Sequence, residues 1–227
     1  MHTAVLFDRF GPYHIARLEG ASSFLYVTGV EIASDSAEYD WSRVNDDVSF
    51  DRVTLFPDSS TDDLCSVLIR DEVCRFLARS SPDVVAVPGW SHPASIGALQ
   101  WCKKTDTPAI MMSESTEHDF DRVWWKEFPK QRLLAQCSSA LVGGNAHRRY
   151  LSRLGMPSER VFLGYDVVEN EHFAEGAAYA RRNADAIRSE FDLPRHYFLA
   201  SNRFIPKKNL PFLIGTFAKY RRKASKD

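Results

Sequence analysis

The chain has no uninterrupted apolar run of the roughly eighteen residues that a membrane-crossing helix needs, and no basic leader with a long apolar run behind it. The expectation is a cytoplasmic protein with at most peripheral membrane contact. Charge of either sign is also not in excess, since 29 Lys and Arg stand against 30 Asp and Glu, a formal net charge of -1. A nucleic-acid binder shows a basic excess or a basic face, so no nucleic-acid partner is expected. Cysteine is scarce: Cys65, Cys74, Cys102 and Cys137 are the only four, and no pair has a metal-like spacing. That argues for buried thiols in a reducing compartment rather than a zinc site or a disulfide framework. Neither Gly-x-x-x-x-Gly-Lys-Ser/Thr nor Gly-x-Gly-x-x-Gly occurs, which excludes a Walker phosphate loop and the dinucleotide fingerprint. No repeat or low-complexity tract is present, so a solenoid is excluded as well.

What is there is a rhythm of short apolar runs and amphipathic stretches. Residues 3–7, 30–33, 53–56, 84–87, 108–112, 139–142 and 160–163 read as strands. The run Val84-Val85-Ala86-Val87 lacks polar alternation, which argues for a strand buried on both faces. Helical patterns cover 13–27, 64–77, 96–101 and 124–137, with Pro129 placed to break or kink the last. Asn145 reads as the cap of a basic helix that Gly155 terminates. This alternation predicts an α/β domain with a doubly wound, mostly parallel sheet over residues 1–168. Residues 169–195 read as a polar helical linker, and 196–227 as the first βα unit of a second domain. One strand and one helix cannot bury their own apolar faces, so the chain reads first as a fragment of a longer protein, the alternative being a unit that packs as an add-on to the first domain. The charge is uneven. Residues 31–72 hold twelve acidic side chains against Arg43, Arg52 and Arg70, and 203–227 hold eight basic against one acidic. Both read first as solvated surface, and the basic end also as an electropositive rim.

In that last unit, Tyr197-Phe198-Leu199-Ala200 reads as a buried strand, and Asn209 as the cap of a helix facing inward with Leu210, Leu213, Ile214, Phe217 and Ala218. Arg203 and Lys208 fall in the loop between them. A loop of cations before a helix N-terminus is suited to phosphate, because free N–H groups and full charges converge there. Four other loops follow predicted strands and should gather at the sheet's carboxyl edge. They carry Gly11 and His14, then His92, then Glu114, His118 and Asp119, then Gly143-Gly144. Several titratable groups on one cleft edge is how acid–base sites are built. A solvent-facing carboxylate, a capping histidine and a turn glycine are the plain structural alternatives. Trp90, Trp124 and Trp125 read equally as core residues or as sugar-stacking platforms. No carboxylate pair or His-Glu-x-x-His spacing indicates a metal site.

The stretch ASNRFIPKKNLPFLIGTFAKY resembles the start of the second domain of family 4 glycosyltransferases, which have the two-domain GT-B fold. LVGGNAHRRYLSRLGMPSERVFLGYDVVENEHF resembles the end of their first, Rossmann-like acceptor domain, with Gly164, Asp166 and Phe173 on its Gly-x-Asp…Phe pattern, and FGPYHIARL resembles the loop after their first strand. The resemblance implies a retaining transfer of sugar from a nucleotide-sugar to a hydroxyl acceptor (glycan, lipid or small molecule), without metal or other cofactor. Arg203 and Lys208 would grip the donor diphosphate. Glu114 and His118 would act at the anomeric carbon, and Gly11, His14, His92 and Asp119 would line the sugar side. Two departures stand out: Glu114 falls where relatives place a histidine, and Asn202 replaces the usual glycine. The family's Glu-rich donor motif falls beyond Asp227, so the fragment is expected to be inactive alone. The alternatives are a GT-B sugar-nucleotide epimerase or phosphorylase, and a non-catalytic carbohydrate- or partner-binding module.

Overall fold

The computed structural model describes residues 1–35, 47–119 and 122–224, and it divides the chain into two units, Met1–Glu171 and His172–Asp227. Of the acidic stretch over 31–72, residues 36–46 lie outside the described residues. The first unit alternates strand and helix: β1 (His2–Phe7), α1 (Pro12–Ser22), β2 (Tyr26–Asp35), β3 (Asp51–Ser60), α2 (Ser66–Ser80), β4 (Val84–Pro88), α3 (Pro93–Thr105), β5 (Ala109–Ser113), α4 (Trp124–Leu134), β6 (Ser139–Val142), α5 (Asn145–Arg153) and β7 (Val161–Leu163). The sheet runs β3-β2-β1-β4-β5-β6-β7, and every neighbouring pair is parallel. This is the doubly wound α/β fold that the strand–helix rhythm predicts. The chain builds outward from β1 to β3, returns, and builds outward again from β4. The strand order therefore reverses between β1 and β4, where folds of this kind open a crevice at the carboxyl ends.

Successive side chains of a strand point to opposite faces, and the core divides accordingly. Ala4, Leu6, Val30, Ile32, Val85, Val87, Met111, Ala140 and Val142 pack with residues of α2, α3 and α5 on one face. Phe7, Ala86 and Met112 pack on the other with Leu18 of α1, Phe10, Phe50 and Tyr165. Both faces are apolar because each is covered, which is why Val84 to Val87 shows no polar alternation. Fully burying side chains of this size contributes about 1.5–3 kcal/mol each before entropy is counted. The four cysteines are free thiols, Cys102 and Cys137 buried as expected, whereas Cys74 is half-buried and Cys65 exposed. Burial pushes the Cys102 thiol up to about 11 and the Cys137 thiol up to about 12, as expected of inert core residues.

Several boundaries differ from those expected. The helix predicted over 13–27 stops at Ser22, and β2 already begins at Tyr26, paired with His2. The run Tyr26-Val27-Thr28 is β-branched and aromatic, and pairing beside β1 outweighs its weak helical periodicity. Asn145 is the first residue of α5 rather than its cap, and Gly144 holds the cap position. Helix α4 continues through Pro129 and ends at Leu134.

The second unit holds α7 (Ala184–Glu190) and α8 (Leu210–Ala224), and α6 (Asn170–Arg182) starts just ahead of it. No described residue from 172 to 224 is buried. The strand expected at residues 197–200 is not formed. A strand exists only as a hydrogen-bonded partner of another, and no described strand pairs with this one. Phe198 instead rests on Phe217 and Tyr220, each ring 5.6 Å away. Asn209 is left-handed (φ 47°), and its carbonyl accepts from the amides of Phe212 and Leu213 at 3.1 and 3.3 Å. The predicted inward face of α8 is exposed, Ile214 by 68%.

Candidate active site

At the switch between β1 and β4, the strand ends deliver Asp8, Pro88 and Glu114 to one crevice. One cavity there, of about 300 Å³, includes Phe7, Asp8, His14, Arg17, Pro88, Glu114 and Tyr165 in its lining. A second shares Pro88, Glu114 and Tyr165 and extends along Gly89, Trp90 and Ser91. The turn after β4 needs glycine, since Gly89 has φ +76° and donates to the carbonyl of Met112 at 2.7 Å.

The central feature is a pair of carboxyl groups. Glu114 and Asp166 lie close enough for Asp166 to act on the titration of Glu114. Glu114 is the member whose affinity for a proton is raised, first by burial and then by the hydrogen bond and charge of Asp166. The charges of Arg17 and His147 oppose the shift without reversing it. Asp166 reaches this position because Gly143, the residue after β6, has no side chain. A Cβ on Gly143 would meet Asp166 Oδ2 at 2.1 Å, well inside contact distance. Arg17 binds the segment after β7: its Nε donates to the Val167 carbonyl at 3.1 Å, one terminal nitrogen lies 3.8 Å from Asp166, and its guanidinium covers the Tyr165 ring at 4.7 Å. Tyr165 is buried, and its hydroxyl is pushed up to about 12 by burial and then by the Glu114 charge. Arg17, Asp166 and Tyr165 were not among the expected site residues. The Gly-Tyr-Asp match was the one signal for two of them, and helical spacing alone did not distinguish Arg17 from a surface arginine.

Two histidines hold the crevice wall. His14 stacks on Phe7 with ring centroids 4.3 Å apart, and its Nδ1 accepts from the Gly11 amide at 3.0 Å. Burial and then the Arg17 charge lower its pKa to about 4, so the ring is neutral at neutral pH. Gly11 is thereby the buried start of α1, with extended backbone at φ -119°. His92 caps α3, with Nδ1 accepting from the Ala94 amide at 3.2 Å. That leaves Nε2 to carry the hydrogen, 3.0 Å from Asp8 Oδ1. His92 thus stands beside a carboxylate that faces the cavity, although Asp8 Oδ1 makes no hydrogen bond of good geometry there. Below them, Glu31 is 2% exposed and accepts from the Phe10 amide, Thr54 Oγ1 and Arg52 at 3.0, 2.7 and 2.9 Å. It anchors the loop after β1, although its stretch reads as acidic surface.

The other expected residues lie elsewhere. Asp119 folds its own loop, accepting from the Thr116 amide and hydroxyl at 2.7 and 2.8 Å. His118 is 75% exposed and lies 3.4 Å from Glu117. Neither lines the two cavities that hold Glu114. Arg203 and Lys208 belong to the second unit, Lys208 ending a single 3-10 turn before α8. Among the described residues no three His, Cys, Asp or Glu side chains are grouped to hold a metal ion, and no helix is long and apolar enough to cross a membrane.

No protein-family model matches the chain, and no curated protein matches it. Solved structures do. A UDP-N-acetylglucosamine 2-epimerase from Rickettsia bellii is 15% identical with a TM-score of 0.50, over 85% of this chain and 51% of that one. A UDP-GlcNAc 2-epimerase from Neisseria meningitidis, bound to UDP-GlcNAc, is 12% identical with a TM-score of 0.49, over 72% and 46%. A lipopolysaccharide outer core galactosyltransferase is 11% identical with a TM-score of 0.46, over 71% and 44%. The chain spans about half the length of these structures. The likeness is one of fold, to proteins of the GT-B class.

Proposed function

We propose that this chain is the acceptor-side part of a GT-B enzyme acting on a nucleotide-sugar, and within that class a retaining glycosyltransferase with a hydroxyl acceptor. The observation that carries the reading is Glu114 in the lining of both crevice cavities beside Asp166, with its affinity for a proton raised by burial and then by that neighbour. Such a pair can take a proton from a hydroxyl or return one without leaving two bare charges side by side. Arg17, beside it, favours the negative charge that builds as a proton departs. The diphosphate falls to Arg203 and Lys208 on the strength of the motif that holds them, and with two cations there the reading calls for no metal.

The same pair favours a second reading, a sugar-nucleotide epimerase, because one carboxylate can take a proton from the substrate carbon while a protonated carboxyl returns one to it. A product assay on the full-length protein separates the two. Nucleotide-sugars are supplied with and without saccharide and lipid acceptors, and products are followed by mass spectrometry. Transfer predicts nucleoside diphosphate release that depends on acceptor, whereas conversion of the donor sugar with no acceptor present would establish the epimerase. Glu114→Gln keeps a hydrogen-bond donor toward Asp166 but cannot exchange a proton. It is expected to retain nucleotide binding and lose roughly a hundredfold or more in turnover. Unchanged turnover would remove Glu114 from the chemistry.

A further inference from the structure

The α1 side of the sheet holds a hollow that the crevice chemistry does not use. It measures about 250 Å³, with the sheet for a floor and α1 and the segment after β7 for walls. The walls meet where Arg17 donates to the Val167 carbonyl. Val5, Ile110 and Leu141 of the floor are only half-buried, whereas Ala4, Leu6, Met111 and Ala140, which point to the other face, are fully buried. The lining is apolar apart from Arg17, Tyr165 and Thr3. Alternation along β1 turns Thr3 to the same face as Val5 and Phe7, so its hydroxyl stands in the hollow. Thr3 is 6% exposed, and its Oγ1 has no hydrogen-bond partner among the described residues. A buried hydroxyl without a partner costs stability, and valine would take the same position without that cost.

We propose that this hollow binds a small neutral ligand, apolar over most of its surface and carrying one oxygen for Thr3. The volume exceeds the roughly 150 Å³ that holds a benzene molecule in an apolar cavity. Along β1, Thr3 lies roughly 13 Å from Phe7 at the other end. A charged ligand is disfavoured, because Arg17 is the one ion in the lining and is already engaged by Val167, Asp166 and the Tyr165 ring. A helix laid over the hollow would bring apolar side chains but no partner for the hydroxyl, since its backbone groups bond within the helix. A water at Thr3 would fall short of the roughly two to four polar partners that hold a buried water. Phe7, Arg17 and Tyr165 line both the hollow and the crevice cavity that holds Glu114. A ligand longer than the hollow therefore presents its outer end beside Glu114. The corollary that the acceptor hydroxyl is carried on an apolar aglycone rests on the proposed reaction, but the binding itself does not.

The test is a titration of the intact chain, and of the full-length protein, with benzyl alcohol and with toluene, followed through the methyl NMR signals of Leu18, Met112 and Leu141. Both compounds should shift those signals saturably. Thr3→Val keeps the shape of the side chain and removes the hydroxyl. It should weaken benzyl alcohol binding about fivefold and leave toluene binding unchanged. Without ligand, that variant should melt about 2–4 °C higher. Ala21→Phe should crowd the hollow and abolish binding of both compounds, with the remaining methyl signals reporting that the fold persists. Signals unmoved by either compound, or equal affinity of benzyl alcohol for Thr3→Val and the parent chain, would overturn the proposal. So would a lower melting temperature for Thr3→Val, since the hydroxyl would then already have a partner. Binding by the intact chain that the full-length protein lacks would assign the hollow to another segment of the polypeptide and overturn it too. Failure of the transferase assay leaves these outcomes readable, because none of them depends on turnover.

Discussion

At the scale of single residues, the side chains that shape the crevice are charged or titratable groups whose partners are distant in sequence. Glu31 is buried with Arg52, Thr54 and the Phe10 amide, and each would be left without its acceptor in Glu31→Ala. Breaking a buried pair from one side costs about 3–5 kcal/mol. Urea unfolding should show that loss, and Glu31→Leu combined with Arg52→Met should recover part of it. His14 gives a pH signature. Its folded pKa of about 4 lies below the unfolded value of 6.5, so the unfolded chain binds the proton more readily. The contribution is therefore complete above pH about 6.5 and is lost as pH falls from there toward 4, on the order of 2–3 kcal/mol. His14→Asn keeps an acceptor for the Gly11 amide and should flatten stability in that window. An equally steep acid slope in that variant would place the proton elsewhere.

At the scale of elements, the absence of a side chain at two glycines sets how closely backbone and side chain approach. Gly143 leaves room for Asp166, and Gly97 lets α3 lie against α2, with a Cβ at Gly97 falling 3.0 Å from both the Cα and carbonyl oxygen of Arg70. Alanine is about 1 kcal/mol better than glycine inside a helix. The atoms it would meet here are backbone and cannot swing aside, so overpacking of about 1–3 kcal/mol opposes that gain. Gly97→Ala should thus be neutral to destabilising by up to about 2 kcal/mol in denaturant unfolding. A more stable variant would mean that the two helices separate easily.

At the scale of the whole molecule, every buried residue among those described falls before residue 172. Residues 1–171 are accordingly expected to unfold as one cooperative transition when prepared without the rest. Residues 172–227 by themselves should show helical circular dichroism and no sharp melt, since no described side chain there is buried to lend cooperativity. A sharp thermal transition in the shorter piece would contradict this.

The doubly wound sheet was legible in the sequence because its strands are buried on both faces and announce themselves as short apolar runs between amphipathic stretches. The loops after β1, β4, β5 and β6 could be placed on one edge for the same reason, since parallel strands all end there. What local pattern misplaced were boundaries and roles that depend on a neighbour. Tyr26 and Val27 became strand because β1 lies beside them, and residues 197–200 did not because no described strand pairs with them. Glu114 could be singled out from its loop, but Asp166, Arg17 and the gap at Gly143 join it only once β5, β6 and α1 are packed. Hydrophobic periodicity is a property of a few consecutive residues, and the sequence alone determined whatever follows from it. Charge pairing depends on distance between segments more than a hundred residues apart in the Arg17–Asp166 pair, and the tertiary structure alone decided that.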